Sequence, residues 1–474
     1  MADSSRGGFK PYGRDVQRPP GETSAGESDW LRGTPSAAQI TARVSQAVLR
    51  PGGPVWWLGF GLAASLSLCL CGAIAYLLSK GVGIWGINIP VAWGFAITNF
   101  VWWIGIGHAG TFISAILYLL KQDWRTSINR FAEAMTLFAV ACAGLFPLLH
   151  LGRPWVFYFM LPYPDTMGLW PQFRSPLVWD MFAVFTYLTV SLTFWYVGLL
   201  PDLATLRDRS TKAWARKTWG LLCLGWRGSA RHWHRYERLY LLFAALATPL
   251  VVSVHSIVSL DFSVAMEPGW HSTVFPPYFV AGAIYSGFAM VLTLAIPLRH
   301  GFNLQWAITE KHLDVMAKML LTTGWILGFG YLSEIFLSWY GGDVFEGYMT
   351  LNRMRGPYRA MYWSMLLINV GAVQFLWIPV LRRNALFLFC LSLLINVGMW
   401  MERYVVVVTS LHRDFLPSSW GIFSGTFWDW ITLLGSMGLF LALFLLFIRA
   451  LPVISMAELK KLSHGAVQGN GAEP

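Results

Sequence analysis

With 474 residues, 55% of them hydrophobic and only 12% charged, and a mean hydropathy of +0.50, the chain is too apolar to fold as two or three soluble domains. A formal charge of +11 would suit a nucleic-acid partner, but the placement of Lys and Arg along the chain accounts for it without one. The composition predicts an all-α polytopic membrane protein.

The first 50 residues are polar, carry Pro19-Pro20 and Gly21, and contain no apolar core, so no cleavable signal peptide is expected. Residues 1–50 read as a polar cytoplasmic arm, disordered alone or laid along a partner. Apolar runs able to cross about 30 Å of hydrocarbon follow near 55–79, 90–120, 131–150, 177–200, 239–260, 274–298, 313–338, 358–381, 385–408 and 428–450. These ten spans divide into a first bundle (51–200), a basic, Trp-rich loop (201–238), a second bundle (239–381), an additional helix pair (382–450) and a tail (451–474). The expected architecture is two four-helix bundles plus an extra pair. A short self-similarity supports two halves: Ala132-Glu133-Ala134-Met135 opens the third span as Leu313-Asp314-Val315-Met316 opens the seventh.

Ten spans place both termini on one side. Of the 35 Lys and Arg, 26 fall in the arm, the tail and the loops on that side, and 7 in the opposite loops. By the positive-inside rule the termini are cytoplasmic. The opposite loops 151–176 and 261–273 carry Pro154, Pro162, Pro164, Pro171, Asp165, Glu267 and Trp270, a composition suited to a rigid platform for an extracytoplasmic partner. The five cysteines, at 69, 71, 142, 223 and 390, form no CxxC or CxxCH, so no iron–sulfur cluster, c-type haem or other metal site is expected in this chain alone.

The ionisable residues within the spans are unevenly placed. Reading depth at about 1.5 Å per residue, His150, Asp180, His255, Asp261, Glu334, Glu402, Arg403 and Asp429 fall in the outer half, with His108 nearer mid-membrane. The inner half offers Glu133, Asp314 and Lys318. A charge within a span costs about 2.5–3.5 kcal/mol on insertion scales, so it faces the bundle interior or a wet cavity. For Asp180 and Asp429 a favourable helix dipole is a sufficient explanation, and Glu402-Arg403 is readable as a structural ion pair. His108 and His255 sit in apolar sequence that packing alone does not require. Imidazoles and carboxyls near one face, without metal-ligand spacing, suit the oxidation of a quinol: its ring enters from the bilayer, and neutral bases accept its hydroxyl protons as electrons leave. The electron acceptor must then belong to a partner.

At Trp103-Ile104-Gly105-Ile106-Gly107-His108-Ala109-Gly110-Thr111, at His150-Leu151-Gly152-Arg153-Pro154-Trp155, and at His255-Ser256-Ile257-Val258-Ser259-Leu260-Asp261 with Pro268-Gly269-Trp270-His271, the chain resembles the NrfD-like family of polysulfide-reductase membrane subunits. With ten spans and a long arm it looks most like the quinol-oxidising membrane subunit of bacterial alternative complex III. The resemblance implies a bacterial inner-membrane protein with menaquinol or ubiquinol as substrate. It also implies a periplasmic iron–sulfur partner, cytochrome c subunits and a second homologous membrane subunit. Carried over, His108 bonds one quinol oxygen, and Asp180, His255 and Asp261 supply further hydrogen bonds or accept protons. His150 and Arg153 are implied as further quinol-binding residues, Arg153 also shaping the partner interface or balancing a carboxylate. Glu133, Asp314, Lys318, Glu334, Glu402 and Arg403 are candidates for a proton path. Four other readings stay open. The chain could be the homologous subunit that binds no quinol and serves as a proton conduit, a purely structural anchor, a secondary transporter, or a b-haem protein. The last lacks the usual pairs of histidines about a dozen residues apart on one span.

Overall fold

A computed structural model describes residues 30–33, 35–161 and 173–470, with side chains to residue 464. Pro162, Pro164, Asp165 and Pro171 of the platform-like loop, and Pro19-Pro20 of the arm, lie outside the described residues. The regular structure is helical, and among the described residues ten helices are long and apolar enough to span a membrane.

The chain runs through α1 (Ala37–Leu49), α2 (Pro54–Lys80), α3 (Phe95–Leu119), α4 (Asn129–His150), α5 (Pro176–Arg209), α6 (Ala213–Leu222), α7 (Ala230–Ser263), α8 (Phe275–Gly301), α9 (Glu310–Tyr340), α10 (Val344–Arg355), α11 (Arg359–Leu366), α12 (Pro379–Arg383), α13 (Ala385–Leu411), α14 (Phe427–Ala450) and α15 (Met456–Asn470). All ten expected spans are found, with α5 and α7 running on into residues 201–238, and two others differ in form. The second begins at Phe95, because residues 85–94 form a loop rather than the start of a long helix. The eighth is not one regular helix: α11 passes into a π-helical turn over Leu367–Gly371 and a 3-10 stretch over Ala372–Trp377 before α12. Tertiary bonds explain the widening, since Tyr285 donates to the Asn369 carbonyl (3.1 Å) and the Asn369 amide donates to Tyr331 (3.0 Å).

Helix packing allots the spans differently from their chain order. α3, α4, α5 and α7 form one group, and α8, α9, the eighth span and α13 form the other, joined where α3 and α7 meet α8. The extra pair is not 382–450: α14 packs against α2, the first span, whereas α13 packs against α8 and α11. Lipid tails are as apolar as leucine, so packing in a bilayer is decided by close fit rather than by hydrophobicity. α3 and α8 are central, with 89% and 83% of their apolar stretches buried, against 22% for α2. Gly287 lets α8 approach α3, and Gly110 lets α3 approach α4. A Cβ at Gly287 would strike Ala109, and one at Gly110 would strike the Ala132 carbonyl.

Part of the arm is ordered on the chain's own surface. Ser36 caps α1 through a capping box with Gln39, and α1 buries Ile40 and Val44 as it packs on α15 and α14. Ser463 donates to the Pro35 carbonyl (2.8 Å), and Arg32 pairs with Glu310 (2.9 Å). The described ends of the chain therefore meet on one face of the helix bundle, the terminal face; the opposite one is the far face.

Candidate functional site

At the centre of the first helix group α3 crosses α7, and two imidazoles meet there. His108 and His255 are each 1% exposed, with ring centroids 4.6 Å apart at 66°. His108 also stacks on Tyr187 of α5 (4.8 Å, 4°). Its Nδ1 lies 2.6 Å from the Ile104 carbonyl, which can only accept, so Nδ1 carries the proton and Nε2 of the neutral ring presents a lone pair. Neither that Nε2 nor either ring nitrogen of His255 has a protein hydrogen-bond partner among the described residues.

Towards the far face two carboxyls meet across the α5–α7 seam. Asp180 and Asp261 interact directly, yet Oδ1 of each has no protein partner among the described residues. Asp180 lies one turn inside α5, whose N-cap is Ser175, so a capping role does not account for it. Asp261 is about 9 Å of helix rise beyond His255. Between the imidazoles and the far face lies an aromatic layer: Phe279 is 6.0 Å from His255, Phe262 is 5.6 Å from Phe279, and Trp270 and Trp93 close over Phe262. His150 is half-buried at the rim, edge-on to Trp93 (6.4 Å), while Arg153 is exposed before the 3-10 turn Pro154–Met160.

Glu334, Glu402 and Arg403 belong to the second group, and Asp429 to the α2–α14 pair. Glu402 is fully buried and accepts from Tyr278 (2.6 Å) and Tyr331 (3.0 Å), with Arg403 at 3.0 Å. Arg403 also lies over the Phe279 ring (4.2 Å), linking this cluster to the aromatic layer above His255. Glu334 is ion-paired with Arg353 (2.6 Å). Asp429 caps α14 in a box with Thr426 and accepts from the Gly86 N–H (2.9 Å), the structural role that its helix-end position suggested.

Just past α13, His412 donates from Nδ1 to the Thr409 carbonyl (2.9 Å) and its Nε2 meets the Asn352 amide (3.3 Å). Burial lowers its pKa to about 4. The folded state thus holds this imidazole neutral more strongly than the unfolded chain does. The stabilisation is complete above the unfolded value of about 6.5 and is lost as pH falls from there towards 4. His412→Gln is expected to flatten the acid-induced rise in hydrogen exchange of residues 349–358 and 409–423; an unchanged pH profile would rule His412 out as the cause.

On the terminal side Glu133 sits in a closed network. Ser114 and Tyr240 (3.0 Å) donate to it, and Arg130 lies 3.6 Å from Glu133 and 3.6 Å from Asp202 while donating to the Gly198 carbonyl (2.7 Å). Asp314 instead pairs with Lys318 (2.7 Å) and Arg382 (2.9 Å), and Lys318 is 54% exposed at its side chain. Among the described residues no hydrogen bond or ion pair joins the Asp314 cluster to that of Glu133. Hydroxyls do lead from Glu133 towards the imidazoles. Ser114 lies one turn from Thr111, which donates to Ser191 (3.2 Å); the Thr111 N–H donates to Thr136 (2.9 Å), and Tyr187 follows on α5, four residues before Ser191.

Sequence reasoning did not select Tyr187, Arg130, Asp202, Tyr240, Tyr278, Tyr331 or Asn369. One signal was present for the hydroxyl line: His108, Thr111 and Ser114 recur every three residues along one side of a helix. For Tyr278, Tyr331 and Asn369, which lie on three different helices, nothing in the sequence marks the convergence on Glu402.

A family model described as polysulphide reductase, NrfD, matches residues 86–413. That range runs from the loop before α3 to just past α13, covering both helix groups and leaving the α2–α14 pair outside. A protein of Halobacterium salinarum named as a membrane subunit of dimethyl sulfoxide reductase is 28% identical over 377 residues, 78% of this chain and 80% of its own length. A selenate reductase subunit of Mesobacillus selenatarsenatis is 22% identical over 406 residues, 82% of this chain and 92% of its own.

Proposed function

Because the chain belongs to the NrfD polysulphide reductase family, we propose that it is the quinol-oxidising membrane subunit of a respiratory oxidoreductase complex. One observation carries this reading: two imidazoles in contact and two facing carboxyls, on three helices of one group, with three ring nitrogens and one oxygen of each carboxyl lacking a partner among the described residues. Buried polar atoms without a partner are costly, and the two hydroxyls of a quinol would supply what these lack. A metal-ligating or haem role is less well served, since the His108 and His255 rings are edge-on at 4.6 Å, too close for an iron–porphyrin between them.

In this mechanism quinol loses two electrons and two protons and leaves as quinone. His108 accepts a hydrogen bond at Nε2, its orientation fixed by Ile104 and by the Tyr187 ring beneath it, and His255 serves the same substrate from α7. Asp261 and Asp180 take the released protons towards the far face, which the Lys and Arg bias makes periplasmic. The aromatic layer of Phe279, Phe262, Trp93 and Trp270 keeps bulk water from the imidazoles. Electrons pass to an iron–sulfur subunit docked on the far face. The line from Asp202 through Arg130 and Glu133 to Thr111 and Tyr187 is the proposed route for any proton drawn from the terminal side.

Beyond the iron–sulfur partner two assemblies are in view. The resemblance noted from sequence points to alternative complex III, with cytochrome c subunits and a second homologous membrane subunit. The names of the two relatives favour a terminal reductase as the acceptor. Identification of the subunits that co-purify with the tagged chain separates the two.

The reading is tested by quinol oxidation in the purified complex carrying Asp261→Asn or Asp180→Asn. Each is expected to lower turnover at least about tenfold, within the range for a lost proton acceptor, while the partner's redox centres stay present and reducible by dithionite. Full turnover in both variants would place the reaction in another subunit.

A further inference from the structure

Beside the terminal end of α5 a cavity of about 340 Å³ lies between α5, the turn before α7 and α15. Arg207, Arg227 and Lys460 line it together with Trp226 and Trp233. Its two carboxylates are already engaged: Asp208 pairs with Arg207 (2.7 Å), and Asp202 accepts from the Ala457 N–H (3.3 Å) and faces Arg130. Arg227 and Lys460 make no ion pair among the described residues, and Lys460 is half-buried, its ammonium pushed below the ordinary lysine value by that burial. Asp202 faces Lys460 as well as Arg130, so with Arg207, Arg227 and Lys460 set against Asp202 and Asp208 the lining keeps positive charge in excess.

The depth of the site narrows the choice of anion. Pro201, where the apolar run of α5 ends, is in its wall, which places the opening at the edge of the hydrocarbon. α6 packs beside it, with Gly220 next to the Arg207 stem. This helix and its following turn expose Trp214 (67%), Leu221 (77%) and Leu224 (70%), flanked by Lys212, Arg216 and Lys217. A short helix with exposed aromatic and aliphatic side chains among cations is built to lie in a headgroup layer, and basic recesses at that depth bind anionic lipid heads.

We propose that this cavity binds the phosphate headgroup of an anionic phospholipid, with Arg227 and Lys460 as counter-ions and the exposed side chains of α6 beside its acyl chains. The function is structural. The lipid joins the long loop between the two ends of α5 and α7 to α15, and so holds the tail against the first helix group. It does not rest on the quinol reading, although Asp202 in the cavity wall is also the first group of the proposed proton line, and the variants therefore change Arg227 and Lys460 alone.

The test uses the intact complex in nanodiscs of phosphatidylcholine alone or with phosphatidylglycerol, followed by detergent extraction and mass spectrometry of retained lipid. Wild type is expected to retain phosphatidylglycerol in preference to phosphatidylcholine. The double variant Arg227→Ala/Lys460→Ala is expected to retain it about 30-fold less well, from about fivefold per lost cation, and Arg227→Lys/Lys460→Arg to keep it. Equal retention by the neutralised and wild-type proteins, or equal retention of the two lipids, would overturn the proposal. So would displacement of the lipid by inorganic phosphate alone, which would make the cavity a site for free anions.

Discussion

Replacing His108 with alanine is expected to reduce quinol oxidation by about 10²- to 10⁴-fold, the span associated with loss of a positioned acid–base group, with the partner subunits still bound. The argument rests on position. His108 is at the midpoint of the most buried span, its tautomer set by the Ile104 carbonyl and its plane held by Tyr187, so the ring enters the reaction without reorienting. His255→Ala is expected to act in the same range, and the double variant to fall little below either single one, because groups that serve one substrate are not additive. Steady-state quinol oxidation, with dithionite reduction of the partner centres as the control for assembly, measures all three. If both single variants retain wild-type turnover, the imidazole pair is a packing feature. If the two losses multiply, the rings act at separate steps rather than on one molecule.

Arg130→Met is expected to give the largest loss of stability, about 3–5 kcal/mol, the range for removing one partner from a buried ion pair. Arg130 is 1% exposed and stands between two carboxylates, Glu133 and Asp202, that are equally buried. It also donates to the Trp195 (3.3 Å) and Gly198 carbonyls in the middle of α5. Without the guanidinium, two buried carboxylates lose their counter-ion and two carbonyls lose a donor. Thermal unfolding of the detergent-solubilised complex reads the loss. The triple variant Arg130→Met/Glu133→Gln/Asp202→Asn removes the stranded charges and is expected to recover most of the midpoint. No recovery would mean that the carbonyl contacts, rather than the charge balance, are what Arg130 supplies.

How much of this was legible beforehand differs from residue to residue. Glu133 could be flagged because a carboxylate in an apolar run is expensive anywhere in a bilayer, but its partners Arg130 and Asp202 fall just outside the spans drawn from the sequence. The helices in fact extend past the hydrocarbon, α5 to Arg209 and α7 back to Ala230, so residues assigned to the loop 201–238 continue the bundle. Arg153 stood out in a family-like turn, yet the turn puts it on the surface, away from the imidazoles. Tyr187 carried no signal in the sequence because tyrosine in a span has many ordinary uses; only the stacking on His108 gives it a part in the site.

The number and approximate positions of the spans, and the bias of cations to one face, were determined by the sequence itself. A bilayer leaves each segment to satisfy its own backbone hydrogen bonds, so apolar length alone decides what crosses. Which helices touch was decided only by the tertiary structure. α2 meets α14 across almost the whole chain, His108 meets His255 from α3 and α7, and Asp180 meets Asp261 across a seam between α5 and α7. Such contacts depend on the rotation of each helix about its axis and on the close approaches that Gly110 and Gly287 permit. Among helices that are apolar on nearly every side, periodicity leaves that rotation undetermined, and the fit of side chains fixes it.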